Sequence, residues 1–259
     1  MADHAVTADR YSERYVAFID ILGFSDLVEK SVNDPETFAK VLGVTRGLAE
    51  VAKNVAAEYE VLIDSHDMAS SAFSDNIVIS TPAAAQAHRS GSLYAIAFAV
   101  QGLCRRLLVE LSVAARGGIA KGLAYHKEGK LFGPAIVAAY RLEHDVAKVA
   151  RIAVSPEIAQ EWARHFGAPP GLTALKSVIQ VDQDGIHYLD LFHFPERDSI
   201  DNNTASFFQK TGPTLSQMLI DQRQNERALQ KLRWLANGYN RAPILRRIPN
   251  CIRVSTCTP

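Results

Sequence analysis

The fold that the sequence predicts is a mixed β-sheet flanked by helices, of the α+β or α/β class. Three observations carry it. Short β-like runs alternate with stretches of helical periodicity in the order βα, ββ, α, β, α, β, α, ββ. Two strand pairs are joined by turn-forming clusters, Ser74-Asp75-Asn76 and Asp182-Gln183-Asp184-Gly185. The 259 residues, 47% hydrophobic and 22% charged, suffice for a sizeable core, as one large domain or one domain with an appendage.

The first run, Tyr15 to Ile19, ends in Asp20 and a turn containing Gly23. Asp34-Pro35 opens a helix over Glu36 to Tyr59, where Phe38, Val41, Leu42, Leu48, Val51, Ala52 and Val55 recur near helical spacing. Ser70 to Ser80 reads as a hairpin with Ser74-Asp75-Asn76 at its tip, and Thr81-Pro82 starts a helix running to about Glu110. A long strand, Val113 to Tyr125, contains Arg116-Gly117-Gly118 and leads into the charged, glycine-containing loop Lys127 to Lys130. Gly133-Pro134 starts a helix through about Lys148, followed by a short strand over Arg151 to Val154 and a short helix over Pro156 to His165. Leu175 to Val181 and Ile186 to Phe194 form the second hairpin. Near Pro195 the character changes, which divides the chain into a main domain, 1–195, and a helical appendage, 196–259, with amphipathic helices over Phe207 to Tyr239.

Lys+Arg 28 and Asp+Glu 28 cancel to a formal net charge of +0, so the bulk basic field of a nucleic-acid or anionic-membrane binder is missing, and neither partner is expected. Cys104, Cys251 and Cys257 lack metal-ligand spacing, and their odd number argues against a disulfide framework; a cytoplasmic location is expected. The stretch Met1 to Arg14 lacks the apolar core of a signal peptide, and no run approaches the roughly 18 apolar residues of a membrane span. His66, His126, His144 and His187 scatter without a metal-ligand pattern. No Walker loop and no Ser/His/Asp nucleophile signature occurs.

Asp20 and Asp75 stand where apolar runs break into turns, one after a strand and one before it. Two aspartates held at strand ends suit a divalent-metal site, since hard cations such as Mg²⁺ take one or two carboxylates and leave their other positions to water and phosphates. Two such ions stabilise both the attacking and the leaving oxygen of a phosphoryl transfer.

The motif order resembles the class III nucleotide cyclase homology domain over roughly Arg14 to Phe194. The matching segments are Phe18-Ile-Asp-Ile-Leu-Gly-Phe-Ser25, the hairpin tip at Asp75, Arg116-Gly-Gly-Ile-Ala-Lys-Gly122, Phe132-Gly-Pro-Ala-Ile-Val-Ala-Ala-Tyr-Arg-Leu-Glu143 and Arg151-Ile-Ala-Val-Ser155. Within that family, the short form with a helical tail and no sensor domain looks like the pyrimidine cyclases of the Pycsar antiphage systems. The resemblance implies an α+β domain with a ferredoxin-like mixed sheet and a C-terminal helical appendage. It implies two divalent ions, Mg or Mn, held by Asp20, Asp75 and the backbone carbonyl of Ile21. The N–H groups of Gly23, Phe24 and Ser25, just before a helix, would hold the triphosphate, with Lys176 as a further phosphate ligand. Arg141 would stabilise charge in the transition state. The domains would pair head to tail as a homodimer with active sites at the interface, the aspartates of one protomer facing the arginine and base-reading residues of the other.

One position departs from the family. Counted without gaps, the asparagine that orients the ribose, four residues before the arginine, is Val137 here, which cannot hydrogen-bond. Either another residue such as Tyr140 takes its place, or the helix register shifts, or catalysis is weakened. The same count puts Ser71 and Lys130 at the base-reading positions. An ammonium only donates hydrogen bonds, so Lys130 favours a carbonyl acceptor: uracil O4 and guanine O6 fit, the amines of adenine and cytosine do not.

The expected activity is therefore conversion of UTP to 3′,5′-cyclic UMP and pyrophosphate, as a second messenger read by a separate cyclic-nucleotide-binding effector. The preference for UTP over GTP follows from the Pycsar resemblance. The alternatives are a cyclase of other base specificity, making cyclic CMP, GMP or AMP, an inactive nucleotide-binding dimeric regulator, and a scaffold whose helical tail is the functional surface. Arg116 reads as a structural ion-pair partner within the sheet, and Arg141-Leu142-Glu143 as an ordinary solvated helix face apart from its spacing to Gly133.

Overall fold

A computed structural model describes residues 10–60, 67–83, 89–167, 177–194 and 199–256. Lys176, with Leu175, His66 and Cys257, lies outside them. The strands are β1 (Ser12–Ile21), β2 (Ala69–Phe73), β3 (Asn76–Pro82), β4 (Ala115–Lys127), β5 (Lys130–Phe132), β6 (Ile152–Val154), β7 (Ile179–Val181) and β8 (His187–Leu189). The helices are α1 (Phe24–Ser31), α2 (Pro35–Glu60), α3 (Arg89–Glu110), α4 (Pro134–Arg141), α5 (Pro156–Phe166), α6 (Asn202–Asp221) and α7 (Glu226–Arg241). The strands form one mixed sheet in the order β2-β3-β1-β4-β6-β8-β7, with β5 paired to β4 outside that path. Among the described residues only β4 and β6 run parallel; the other pairs are antiparallel. This is the open α+β sheet flanked by helices that the sequence predicts.

The central strand β1 is buried on both faces, so its sequence reads as a continuous apolar run rather than an alternation. Tyr15, Ala17, Ile19 and Ile21 enter the larger core beneath α2 and α3. Val16 and Phe18 face the other way, into a smaller cluster with Val78, Ala120, Ala124, Ala135 and Ala139 under α4. Side chains of α6 and α7, among them Phe208, Leu215, Leu232 and Tyr239, belong to the larger core. Helix α3 has an apolar window of mean hydropathy 1.3, long enough to cross a membrane, and 67% of that window is buried inside the protein.

Three boundaries differ from the sequence expectation. The ladder of β3 runs on to Pro82, opposite Arg14, and the described part of the helix is Arg89–Glu110. Thr81 is fully buried opposite Tyr15, so cross-strand pairing overrides the helix-start signal, and the proline sits at the strand end where a missing N–H costs little. The helix expected through Lys148 ends at Arg141 and continues as a π-helical turn, Leu142–Val146. The second hairpin is confined to three residues on each side of its turn, from Ile179 and from His187.

Candidate active site

The sheet register brings the two aspartates together. Asp20, near the end of β1, lies opposite Asn76 on β3 and Arg116 on β4. Asp75 is in the β2–β3 turn, where Ser74 takes a positive φ of 55°. The Ile21 N–H donates to the Asp75 carbonyl at 3.1 Å, and Asn76 Nδ2 donates to Asp75 Oδ1 at 2.9 Å. The Asp20 carboxyl is raised above the usual carboxylate range, chiefly by burial; Arg116 pulls it down, and the nearby charge of Asp75 pushes it up. The two acids therefore share one field at the end of neighbouring strands.

After Ile21 the chain turns into a helix. Gly23 turns the chain with φ 78°, a left-handed conformation glycine adopts without penalty, and α1 begins at Phe24. No side chain caps this helix start, so the first N–H groups of α1 stay open to an incoming acceptor.

Arg116 belongs to this site, which sequence reasoning placed only as an ion pair within the sheet. Its Nε donates to Asp20 Oδ2 at 2.9 Å and stands 2.7 Å from Glu143 Oε1. One N–H cannot be aligned to both, and Glu143 Oε1 is left buried without a hydrogen-bond partner. Glu143 corrects the reading of a solvated face: its side chain is buried, because it follows Ala135 and Ala139 at i, i+4 spacing on the face of α4 that packs against the sheet. Burial raises the Glu143 carboxyl above its ordinary range, against the pull of Arg116. Lys231 on α7 feels Arg116, Asp20 and Glu143, and burial pushes its ammonium down. No sequence signal marked it, since the approach depends on how the C-terminal helices fold back.

Arg141 ends α4 on the exposed surface and has no hydrogen-bond or ion-pair partner among the described residues. Within one chain it is not joined to Asp20 or Asp75. Tyr140 packs edge-on against Phe18 at 5.5 Å and stacks with His144 at 5.6 Å. Val137 is 49% exposed, Tyr140 44% and Phe73 49%, which leaves an apolar surface around α4 and the neighbouring β2–β3 hairpin.

Ser71 on β2 meets the β4–β5 hairpin: its Oγ lies 2.9 Å from Nε2 of His126, and Lys130 is opposite Lys127 in that same hairpin. The Lys130 side chain is exposed. Two surface hollows, one between Tyr188 and Trp234 and one between Phe194 and Arg247, include none of these residues.

No family model and no curated protein sequence matches the chain. Among solved structures it is similar to the adenylyl cyclase CyaB from P. aeruginosa, with a TM-score of 0.47 and 16% identity over 74% of this chain and 98% of that one. It is similar to an adenylate/guanylate cyclase/hydrolase from Silicibacter pomeroyi, with a TM-score of 0.40 and 18% identity over 61% of this chain and 84% of that one. A class III adenylyl cyclase-like ATP-binding protein from Pseudomonas aeruginosa gives a TM-score of 0.37 and 13% identity, over 61% of this chain and 37% of that one.

Proposed function

We propose that the protein is a homodimeric, metal-dependent nucleotidyl cyclase of the cytoplasm that converts UTP to 3′,5′-cyclic UMP and pyrophosphate, a second messenger for a separate effector in antiphage defence. The observation that carries the reaction is the convergence of Asp20 and Asp75 beside the open N-terminus of α1. The pyrimidine base and the defence role rest on the resemblance of the motif order.

The donor set fits Mg²⁺ or Mn²⁺. Two carboxylates and the Ile21 carbonyl are hard oxygens, and the described residues hold no group of three His, Cys, Asp or Glu side chains, so further positions fall to water and phosphate oxygens. When bound, the two ions supply Lewis acidity toward the ribose 3′-hydroxyl and the leaving pyrophosphate.

The chain's own groups do the rest. Arg116 fixes the orientation of the Asp20 carboxylate through its Nε–H. The N–H groups of Gly23, Phe24 and Ser25 receive the triphosphate, where the helix N-terminus favours negative charge. In the reaction the 3′-oxygen bonds to the α-phosphorus, the bond from that phosphorus to the β-phosphate oxygen breaks, and the hydroxyl proton passes to solvent. Arg141 of a second copy neutralises the developing charge with its permanently protonated fork. Its exposure, and the apolar surface around α4, favour a second copy docking there.

Incubating the purified protein with each nucleoside triphosphate and Mn²⁺ or Mg²⁺, with products identified by mass, tests the reading. Cyclic UMP is expected, and Asp75→Ala should reduce its formation at least about a hundredfold. A chain that yields no cyclic product from any substrate is not a cyclase. Val137 favours a second reading, a nucleotide-binding regulator without turnover, which tight binding without pyrophosphate release would establish.

A further inference from the structure

A buried chain of hydrogen bonds runs from Arg14 to Ser71, and its polarity can be read end to end. Arg14 can only donate. Its Nε reaches Ser80 Oγ at 2.9 Å, Nη1 reaches Asp67 Oδ2 at 2.7 Å, and Nη2 reaches the carbonyls of Asp67 at 2.7 Å and Ser80 at 3.3 Å. Ser80 is fully buried and its hydroxyl accepts from Arg14, so among the described residues its own proton has one destination, Nδ1 of His126 at 2.9 Å. Nδ1 is thereby the acceptor nitrogen of the ring.

The same geometry weighs against an imidazolium. Its Nδ1–H would point at a hydroxyl already taking the Arg14 donor, strand the Ser80 proton, and set a second cation beside the guanidinium. Burial and the charge of Arg14 accordingly push the His126 imidazole down to about 4. The neutral ring carries its one proton on Nε2, which donates to Ser71 Oγ at 2.9 Å. Ser71 has no acceptor for its own hydroxyl proton among the described residues, and it stands half-exposed on the edge strand β2.

We infer that His126 is a positioning residue for base selection: by donating from Nε2 it takes one of the two Ser71 lone pairs and leaves the hydroxyl proton aimed elsewhere, which favours a carbonyl oxygen of the base over an amine. The inference rests on the proposed cyclase reading for the identity of the ligand, and it deepens that reading at one point. Lys130, in the hairpin that carries His126, is an obligate donor. Two donors meeting one base would favour carbonyl-bearing uracil or guanine over amine-bearing cytosine and adenine. A donor left facing an amine goes unpaired, at a typical cost of about tenfold to a hundredfold in relative affinity.

The full-length protein, with ¹⁵N-labelled histidine, reports the tautomer directly by imidazole nitrogen NMR. A neutral Nε2–H ring at pH 7 is expected for His126, assigned by its loss in His126→Phe; an Nδ1–H ring or an imidazolium overturns the inference. The second readout is the ratio of kcat/KM for UTP over that for CTP. Ser71→Ala and His126→Phe should each lower it about tenfold or more, carried by KM. His126→Gln, whose amide donates near the Nε2 position, should restore it. Melting curves identify any variant that fails to fold, and Ser71→Ala, which removes one half-exposed hydroxyl, keeps the test open if His126→Phe does. A wild-type chain that cyclises with an unchanged ratio in Ser71→Ala overturns this inference alone. A chain that cyclises nothing overturns the cyclase reading, and the ratio is then taken from the Kd values of UTP and CTP, where equal affinities, or no binding, overturn the inference as well.

Discussion

The single Nε–H of Arg116 reaches the Asp20 carboxylate while the same guanidinium stands 2.7 Å from Glu143, so one cation serves two acids that are largely out of water. For Glu143 burial outweighs that pull, and its carboxyl is raised from the ordinary value of 4.5. A raised carboxyl holds its proton more tightly in the folded state than in the unfolded chain. The stability it contributes is then complete below about pH 4.5 and is lost as the pH climbs through the folded value. Glu143→Gln should therefore lose less melting temperature than the parent between about pH 5 and about pH 8, measured without divalent ions. Parallel pH profiles for the two would show that Glu143 bears no such load. The places of the two aspartates at strand ends were legible, because Asp20 precedes the Gly23 turn and Ser74-Asp75-Asn76 is a turn-forming run, both local patterns. Arg116 read as an ion-pair partner within the sheet, as its pairs with Asp20 and Glu143 show, but which acids it meets depends on a cross-strand register that a single sequence does not display. Glu143 read as part of a solvated face, although it continues the spacing of Ala135 and Ala139 on the buried side of α4.

Helix α4 lies close to the sheet, and Gly118 in β4 is the reason. A Cβ on Gly118 would stand 2.3 Å from the Ala139 carbonyl oxygen and 2.5 Å from the Leu142 Cβ, both on the helix and turn above it. Neither obstacle is the end of a flexible side chain. Gly118→Ala must lift the end of α4 off the strand, and it should destabilise the fold by about 1 to 3 kcal/mol, read from a denaturant midpoint. The displaced segment carries Arg141 and Glu143, so activity should fall further than the loss of folded protein accounts for. An unaffected midpoint would mean that α4 sits less tightly than these distances require. The helix start at Gly133-Pro134 was visible in the sequence as proline at the first helical position. The close approach was hinted only by two adjacent glycines inside a strand, and the hint needs the neighbour to become an argument.

Across the whole molecule, α7 spans two distant anchor points. Asn225 at its start donates to Asp26 of α1 at 3.4 Å, and Trp234 at its middle donates from Nε1 to Asp182 at 2.7 Å. Between them Lys231 reaches the field of Asp20. The composition change near Pro195 predicts an appendage, and the helices it announces do form, but their apolar faces enter the larger core with Phe208, Leu232 and Tyr239. Deleting 207–259 should accordingly cost the folded state, seen as lost near-ultraviolet circular dichroism and cooperative melting, rather than trim a separable tail.

The Arg141 side chain is exposed and has no partner among the described residues, and it is not joined to Asp20 or Asp75. In a head-to-tail dimer each site takes acids from one copy and the arginine from the other, and that arrangement has a consequence no single-chain site shares. Asp75→Ala and Arg141→Ala should each be nearly inactive alone. In a mixed dimer, one site inherits both lesions and the other inherits neither. Random exchange makes half of the dimers mixed, so an equimolar mixture should recover about one quarter of the parent activity. The recovery should grow with time after mixing as subunits exchange. A mixture that stays at the sum of its two inactive parts would place the acids and the arginine in separate functions, and the exposed end of α4 would need another occupant.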